Sequence, residues 1–108
     1  MIDWMQVDEM KLEMGGSFNE VVTLFLEEVG EAISRLEAGP EPESLASELH
    51  FLKGAALNLG FSDFAELCEL GEKRAVEKRF DQIDINGILV CYRASCEVFR
   101  AGVKLNAA

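Results

Sequence analysis

The chain has 108 residues with a formal net charge of -10, and apolar residues make up 49% of it. This length is enough for one domain, and the apolar fraction is too high for a disordered acidic tail. No apolar run approaches the roughly 20 residues that a membrane-spanning helix needs. The acidic excess opposes binding to phosphate backbones and anionic lipids. We therefore expect one globular domain over residues 1–108 that binds neither nucleic acid nor membranes.

The three cysteines, Cys68, Cys91 and Cys96, do not have the Cys-x-x-Cys spacing of a redox or metal motif. The N-terminal residues also lack the basic start and apolar run of a signal peptide. These features favour a reducing cytoplasm, in which all three cysteines are small buried core residues. We expect no bound cofactor and no metal site on this chain.

Helices are predicted throughout the chain, because apolar residues recur at helical spacing and no segment shows sustained strand alternation. A short first helix is predicted over residues 2–13, with Met5 and Met10 available to pack against the rest of the molecule. Ser17 and Glu20 then have the spacing of a capping box. A second helix is therefore expected to begin at Ser17.

Proline and glycine divide the rest of the chain into long amphipathic segments. Pro42 is suited to the first turn of a third helix, and Gly60 is suited to its end. The four long helices are predicted at residues 17–38, 43–59, 63–78 and 84–104. Short connections between such helices favour antiparallel neighbours. The predicted fold is all-α, an antiparallel up-down four-helix bundle with the short first helix covering one end.

His50 is the only histidine of the chain, and the helical period of about 100° per residue gives its orientation on the third helix. Five apolar residues of this helix lie within about 40° of one direction and are predicted to face the core. They are Leu45, Leu49, Leu52, Ala56 and Leu59. His50 points about 140° away from that direction. We therefore expect an exposed imidazole, which in its neutral form is a nucleophile near pH 7.

The outer face of the third helix also carries Ala46, Ser47, Lys53, Gly54 and Leu57. Glycine inside a helix costs about 1 kcal/mol relative to alanine, so Gly54 indicates that something approaches the bare backbone there. Ala46, Ser47 and Leu57 extend this position into a shallow, partly apolar patch suited to protein docking. Lys53 can neutralise an anion that His50 holds.

Residues 50–60 read H-F-L-K-G-A-A-L-N-L-G, and this segment resembles the histidine-containing phosphotransfer (Hpt) domains of multistep two-component signalling. The signature of that family is H-x-L-K-G, followed by small residues and a closing Leu-Gly. The segments M-G-G-S, F-L-E-E and L-G-F-S-D-F-A-E-L-C-E-L also look like the family, so the resemblance covers most of the chain. The short motif is informative because it lies on the outer face of a helix in an acidic all-α chain.

The resemblance implies a phosphocarrier without autonomous ATP-dependent kinase activity. His50 would accept a phosphoryl group from a receiver aspartate, or from a sensor or hybrid histidine kinase, and would pass it to the receiver aspartate of a response regulator. Lys53 would stabilise the phosphoryl charge, and Gly54 would give clearance to the receiver. The resemblance also implies that Mg²⁺ is held by the partner receiver domain. We expect the carrier to be a monomer.

One position departs from the family pattern. Many Hpt domains carry a glutamine on the fourth helix that orients the active imidazole, whereas this sequence has Glu69, Glu72 and Lys73 in that region. Either Glu69 or Glu72 could orient His50 instead, and the sequence leaves this choice open.

Two other functions remain compatible with the sequence. One is an acidic helical adaptor that has the same fold and docks a protein without any chemistry. The other is an acyl-carrier-like protein, in which Ser44 would carry a prosthetic group, although Ser44 is equally explained as a helix cap. The two differ from a phosphocarrier in what they require of His50, because neither needs a nucleophile at that position.

Overall fold

The computed structural model describes residues 1–103, which form five α-helices. They are α1 (Trp4–Met14), α2 (Phe18–Glu37), α3 (Pro42–Leu59), α4 (Ser62–Val76) and α5 (Ile85–Val103). A short 3₁₀ segment precedes α2, and another lies between α4 and α5. The predicted all-α class is confirmed. No helix within residues 1–103 is both long and apolar enough to cross a membrane.

The long helices α2 to α5 pack in a ring, in which each contacts the next along the chain and α5 returns to α2. Their short connections make consecutive helices antiparallel, as in an up-down bundle. The short helix α1 packs against α2 and α3, and its Trp4 stacks on Phe99 of α5 with the ring centroids 6.3 Å apart. The structure therefore confirms the four-helix bundle with a short N-terminal helix over one end.

The apolar face of α3 is buried as the helical period predicts. Its buried residues include Leu45, Leu49, Leu52, Ala56 and Leu59. Burial of a leucine side chain contributes about 1.5–3 kcal/mol, so this face determines how α3 is rotated about its own axis. The opposite face, with His50, consequently points to solvent.

The turn between α3 and α4 is fixed by a glycine. Gly60 ends α3 with a left-handed φ of 77°, and a Cβ atom at this position would lie 2.7 Å from the carbonyl oxygen of Asp3. The Phe61 N–H donates to the Ala56 carbonyl at 2.8 Å, a bond typical of helices that end on glycine. The Asp3 N–H donates to the Gly60 carbonyl at 2.7 Å. The turn is thus tied to the helix before it and to the N-terminal segment.

The start of α2 differs from the predicted capping box of Ser17 and Glu20. Ser17 has helical backbone angles, and its side chain forms no capping hydrogen bond within residues 1–103. A capping residue needs an extended backbone, whereas the 3₁₀ segment Gly15–Ser17 runs directly into α2. The predicted capping box is therefore wrong.

The buried face of α1 is also partly different from the prediction. Met10 is buried as expected, but Met5 is 75% exposed. Val7, three residues before Met10, is fully buried in its place. Since residues three apart share a helix face, Val7 and Met10 define the packing side of α1, and Met5 lies outside it.

The ends of the last two helices differ slightly from the predicted bounds. The helix α4 ends at Val76, two residues before the predicted end, and Lys78 takes a left-handed φ of 60° that is incompatible with a continuing α-helix. The Asp84 side chain accepts a hydrogen bond from the Gly87 N–H at 2.9 Å and so caps the start of α5. Residue 104, the predicted end of the fifth helix, lies outside the described residues.

The cysteines are less uniform than expected. Cys68 and Cys96 are buried as predicted, whereas Cys91 is half-buried and packs against the edge of the core. Burial raises the pKa of the Cys68 thiol to about 12. This thiol is therefore protonated at neutral pH and unsuited to act as a nucleophile.

Candidate functional site

The outer face of α3 presents His50 near the middle of the helix, with a side chain that is 69% exposed. Its Nδ1 atom lies 2.8 Å from Oε2 of Glu72 on α4. Glu69, the other predicted orienting residue, is exposed, and no hydrogen bond or ion pair joins it to His50 in the part of the chain that the structure describes. Of the two predicted carboxylates, the structure brings Glu72 to the imidazole.

The α3–α4 hairpin explains why Glu72 reaches His50. His50 lies ten residues before Gly60, and Glu72 lies eleven residues after Phe61. Residues at similar distances from the turn of an antiparallel hairpin lie side by side. At 1.5 Å per residue, His50 and Glu72 each lie about 15 Å from the turn along their helix. The pairing therefore follows from the position of the turn.

Gly71, which precedes Glu72, allows α4 to approach its neighbours closely. A Cβ atom at Gly71 would lie 3.0 Å from Cδ1 of Leu49 on α3 and 3.4 Å from Cδ1 of Ile88 on α5. Because glycine lacks this atom, the backbone of α4 packs directly against core side chains of both helices. This close packing sets the distance over which Glu72 must reach.

Glu72 also binds Lys53. The Nζ atom of Lys53 lies 2.9 Å from Oε1 of Glu72, an oxygen that is shielded from solvent. The carboxylate therefore bridges a lysine and a histidine of the same helix, with one oxygen for each. Lys53 lies one turn after His50, so the three side chains form one cluster between α3 and α4.

The contacts within this cluster stabilise the charged forms of Glu72 and Lys53. Partial burial favours the neutral form of Glu72, but the contacts with Lys53 and His50 outweigh it and lower the pKa of the Glu72 carboxyl group. The contact with Glu72 raises the pKa of the Lys53 ammonium group. At neutral pH the cluster therefore contains an ionised carboxylate and a charged lysine.

The ionised carboxylate determines which nitrogen of His50 is available for chemistry. Because a carboxylate without a proton can only accept hydrogen bonds, Nδ1 of His50 must carry the proton in this contact. In a neutral imidazole the lone pair then belongs to Nε2. The arrangement thus holds the ring while its second nitrogen remains a nucleophile.

Gly54 lies exposed one turn beyond His50, and packing does not require a glycine there. No heavy atom of another element within residues 1–103 lies within 4 Å of the place that a Cβ atom would occupy. Its φ is not left-handed, in contrast to that of Gly60. Packing and backbone conformation therefore do not explain this glycine.

The other predicted docking residues differ in what they offer to a partner. Leu57 is 58% exposed, whereas Ala46 is half-buried against the core. The Ser47 hydroxyl donates to the Ser44 carbonyl at 3.1 Å and is thus engaged within its own helix. Leu57 is the main apolar contribution of α3 to this surface.

Val76, at the end of α4, is an exposed apolar residue that the sequence motifs described above do not include. It lies one turn after Glu72 and lines a groove next to Lys53. Leu57 lines a second groove on the other side of Lys53. A helical projection of α4 would have found Val76, because it lies outside the buried face that contains Phe64, Cys68 and Ala75.

Comparison with known families adds to this geometry. Residues 20–102 match the family model of the Hpt domain. The chain belongs to the Hpt domain family. The match extends from α2 into α5 and includes His50, Lys53 and Glu72, whereas α1 precedes it. Searches of curated proteins and of solved structures find no match to this chain.

Membership of the Hpt family gives the chain a histidine phosphotransfer role in two-component signalling. Hpt domains are phosphocarriers and not kinases, and they interact with receiver domains and histidine kinases. This assignment favours phosphotransfer over an acyl-carrier function. Within residues 1–103, no group of three histidine, cysteine, aspartate or glutamate side chains is arranged to hold a metal ion.

Proposed function

We propose that this Hpt domain is a phosphocarrier of a multistep phosphorelay and that His50 is its phosphoacceptor. In this proposal Nε2 of His50 accepts a phosphoryl group from a receiver aspartate or a histidine kinase. The group then passes to the receiver aspartate of a response regulator. The observation that supports this most directly is the exposed imidazole whose Nδ1 is hydrogen-bonded to Glu72, since it leaves Nε2 as the nucleophile.

The other groups of the site fit this transfer. Phosphoryl transfer needs alignment of the reacting atoms and neutralisation of charge, with little further covalent help. Lys53 is close enough to His50 to move from Glu72 to the oxygens of a bound phosphoryl group. We assign Mg²⁺ and the aspartate pocket to the receiver, which would dock over Gly54 and Leu57.

Incubation of the protein with a phosphorylated receiver domain tests the proposal. The wild-type protein is expected to gain a label that is acid-labile and alkali-stable, as expected for a phosphohistidine, and the His50→Gln variant is expected to gain none. Because the His50 side chain is exposed, this substitution should leave the helical circular dichroism spectrum unchanged.

Two outcomes would contradict the proposal. Label that persists in His50→Gln would place the phosphoryl group elsewhere. Unchanged signalling by His50→Gln in the organism would instead favour an adaptor that docks without chemistry.

A further inference from the structure

We propose that the negative charge of Glu72 holds the Nδ1 proton of His50 in place throughout the transfer cycle, and that this sets how readily the phosphoryl group leaves the ring. This inference rests on the proposed phosphorylation of His50. It concerns the charge of Glu72 in addition to its position, because an amide of the same shape could accept the same hydrogen bond without any charge.

Uptake of the phosphoryl group places a positive charge on the imidazole. The lone pair of Nε2 attacks phosphorus, and the bond from phosphorus to the aspartate oxygen of the donor breaks with its electron pair on that oxygen. The ring then carries a proton on Nδ1 and the phosphoryl group on Nε2, so its formal charge is +1. Glu72, 2.8 Å from Nδ1, carries the opposite charge.

Release requires the same proton. An aspartate oxygen of the acceptor attacks phosphorus, and the N–P bond breaks with its electron pair on Nε2. If Nδ1 still carries its proton, the departing group is neutral imidazole. If Nδ1 has lost that proton, the departing group is an imidazolate, which is a far poorer leaving group. A carboxylate that keeps the proton on Nδ1 therefore favours release, and no proton has to be moved in either direction.

The surroundings strengthen this role for Glu72. Within the described residues, the charged groups that contact one another beside the ring are Lys53 on α3 and Glu72 on α4. The groove next to them is also lined by Glu69, Lys73 and Glu77. In the resting protein Glu72 is shared between Lys53 and His50. When Lys53 turns to the phosphoryl oxygens, the carboxylate is left facing the cationic ring. The charge of Glu72 thus acts on His50 most strongly when the phosphoryl group is bound.

The test uses the whole chain phosphorylated with phosphoramidate, a small phosphodonor, so that no receiver is needed. After removal of the donor, loss of the phosphoryl group is followed by phosphorus NMR between pH 5 and pH 9. Because the protonated ring loses the group faster, the rate falls as pH rises, with a midpoint that reports how firmly Nδ1 holds its proton. For Glu72→Gln we expect this midpoint to fall by about one pH unit, at the lower end of the effect of a neighbouring opposite charge. At pH values above both midpoints, Glu72→Gln should lose the phosphoryl group about tenfold more slowly than the wild type.

Two further variants separate charge from structure. Glu97→Gln removes an exposed carboxylate from α5 and should keep the wild-type midpoint. Glu72→Asp retains the charge and should restore at least part of the shift. Equal midpoints for the wild type and Glu72→Gln would overturn the inference while leaving phosphorylation of His50 intact. A wild-type protein that takes up no phosphoryl group from phosphoramidate or from a phosphorylated receiver would overturn both the inference and the proposed function.

Discussion

Gly54 is a helix-interior glycine that neither the packing nor the backbone conformation of the described residues requires. It lies in the interior of α3, where glycine has more backbone freedom to lose on folding than any other residue. Space for a larger side chain is available on the surface of the bundle. A residue that weakens its helix without improving the packing of the chain is best explained by what must approach it from outside.

Substitution of Gly54 should therefore separate stability from function. Gly54→Ala is expected to raise the free energy of unfolding by about 0.5–1 kcal/mol, because alanine is the better helix residue. Gly54→Leu is expected to slow phosphotransfer from a receiver roughly tenfold, which corresponds to a docking penalty of about 1.4 kcal/mol. Urea unfolding and transfer kinetics measure the two effects. A destabilised Gly54→Ala protein would show that the glycine serves packing after all.

Glu72 should contribute to the pH dependence of stability. The pKa of its carboxyl group is lower in the folded protein than in the unfolded chain, so the stabilisation is fully present above the unfolded value and is lost as pH falls through the folded one. The raised pKa of Lys53 has the opposite sign, and its contribution is lost only at strongly alkaline pH. Wild type and Glu72→Gln are therefore expected to differ more in unfolding free energy at pH 7 than at pH 3. Urea titrations at both pH values measure this, and a pH-independent difference would refute it.

At the scale of elements, the hairpin of α3 and α4 is the unit that builds the site. It holds all three members of the His50 cluster, and its turn sets which residue of α4 lies opposite His50. The turn depends on the left-handed backbone of Gly60 and on its contact with the N-terminal segment. A change at this glycine therefore acts on a region about 15 Å from the imidazole.

Gly60→Ala is expected to destabilise the protein. The left-handed conformation costs a residue with a Cβ atom about 1–2 kcal/mol, and the contact with the Asp3 carbonyl oxygen adds to this cost. We expect a loss of at least about 2 kcal/mol in urea unfolding. Gly54→Ala on the same helix is the matched control, because there the expected change has the opposite sign. An unchanged midpoint for Gly60→Ala would show that the turn can adopt another conformation.

Local patterns predict the elements better than they predict the contacts between them. The rotation of α3 is predictable because its leucines recur with the helical period, and the exposure of His50 follows directly. The same logic fails for Met5, since α1 is too short for its pattern to define one face. The choice between Glu69 and Glu72 is not local at all. It depends on the turn at Gly60 and on the close packing that Gly71 permits, and both are properties of a helix pair.

The whole molecule carries twice as many acidic as basic residues. Some charges are paired across helices, as in Arg35 with Glu48 and Arg93 with Glu37, both at 2.7 Å. Exposed pairs of this kind contribute little to stability, about 0–1 kcal/mol each. The remaining excess of negative charge repels itself in the compact state. At neutral pH the balance of surface charge should therefore oppose folding.

Salt should accordingly stabilise this protein. Raising the NaCl concentration from 10 mM to 300 mM shortens the screening length of surface charge and weakens repulsion over many pairs. We expect the melting temperature to rise by about 2–5 °C, equivalent to roughly 0.5–1 kcal/mol for a domain of this size. Calorimetry at the two salt concentrations measures the shift. A lower melting temperature in high salt would mean that the ion pairs outweigh the general repulsion.

In the proposed phosphorelay, the position of His50 on an open face has a kinetic consequence. A partner that brings an aspartate to Nε2 must cover the same part of α3 that every other partner needs, so two receivers cannot occupy it together. For a carrier of this shape the donor has to dissociate before the acceptor binds. Steady-state transfer should then follow ping-pong kinetics, and an excess of unphosphorylated acceptor should inhibit loading by competing with the donor for the free carrier.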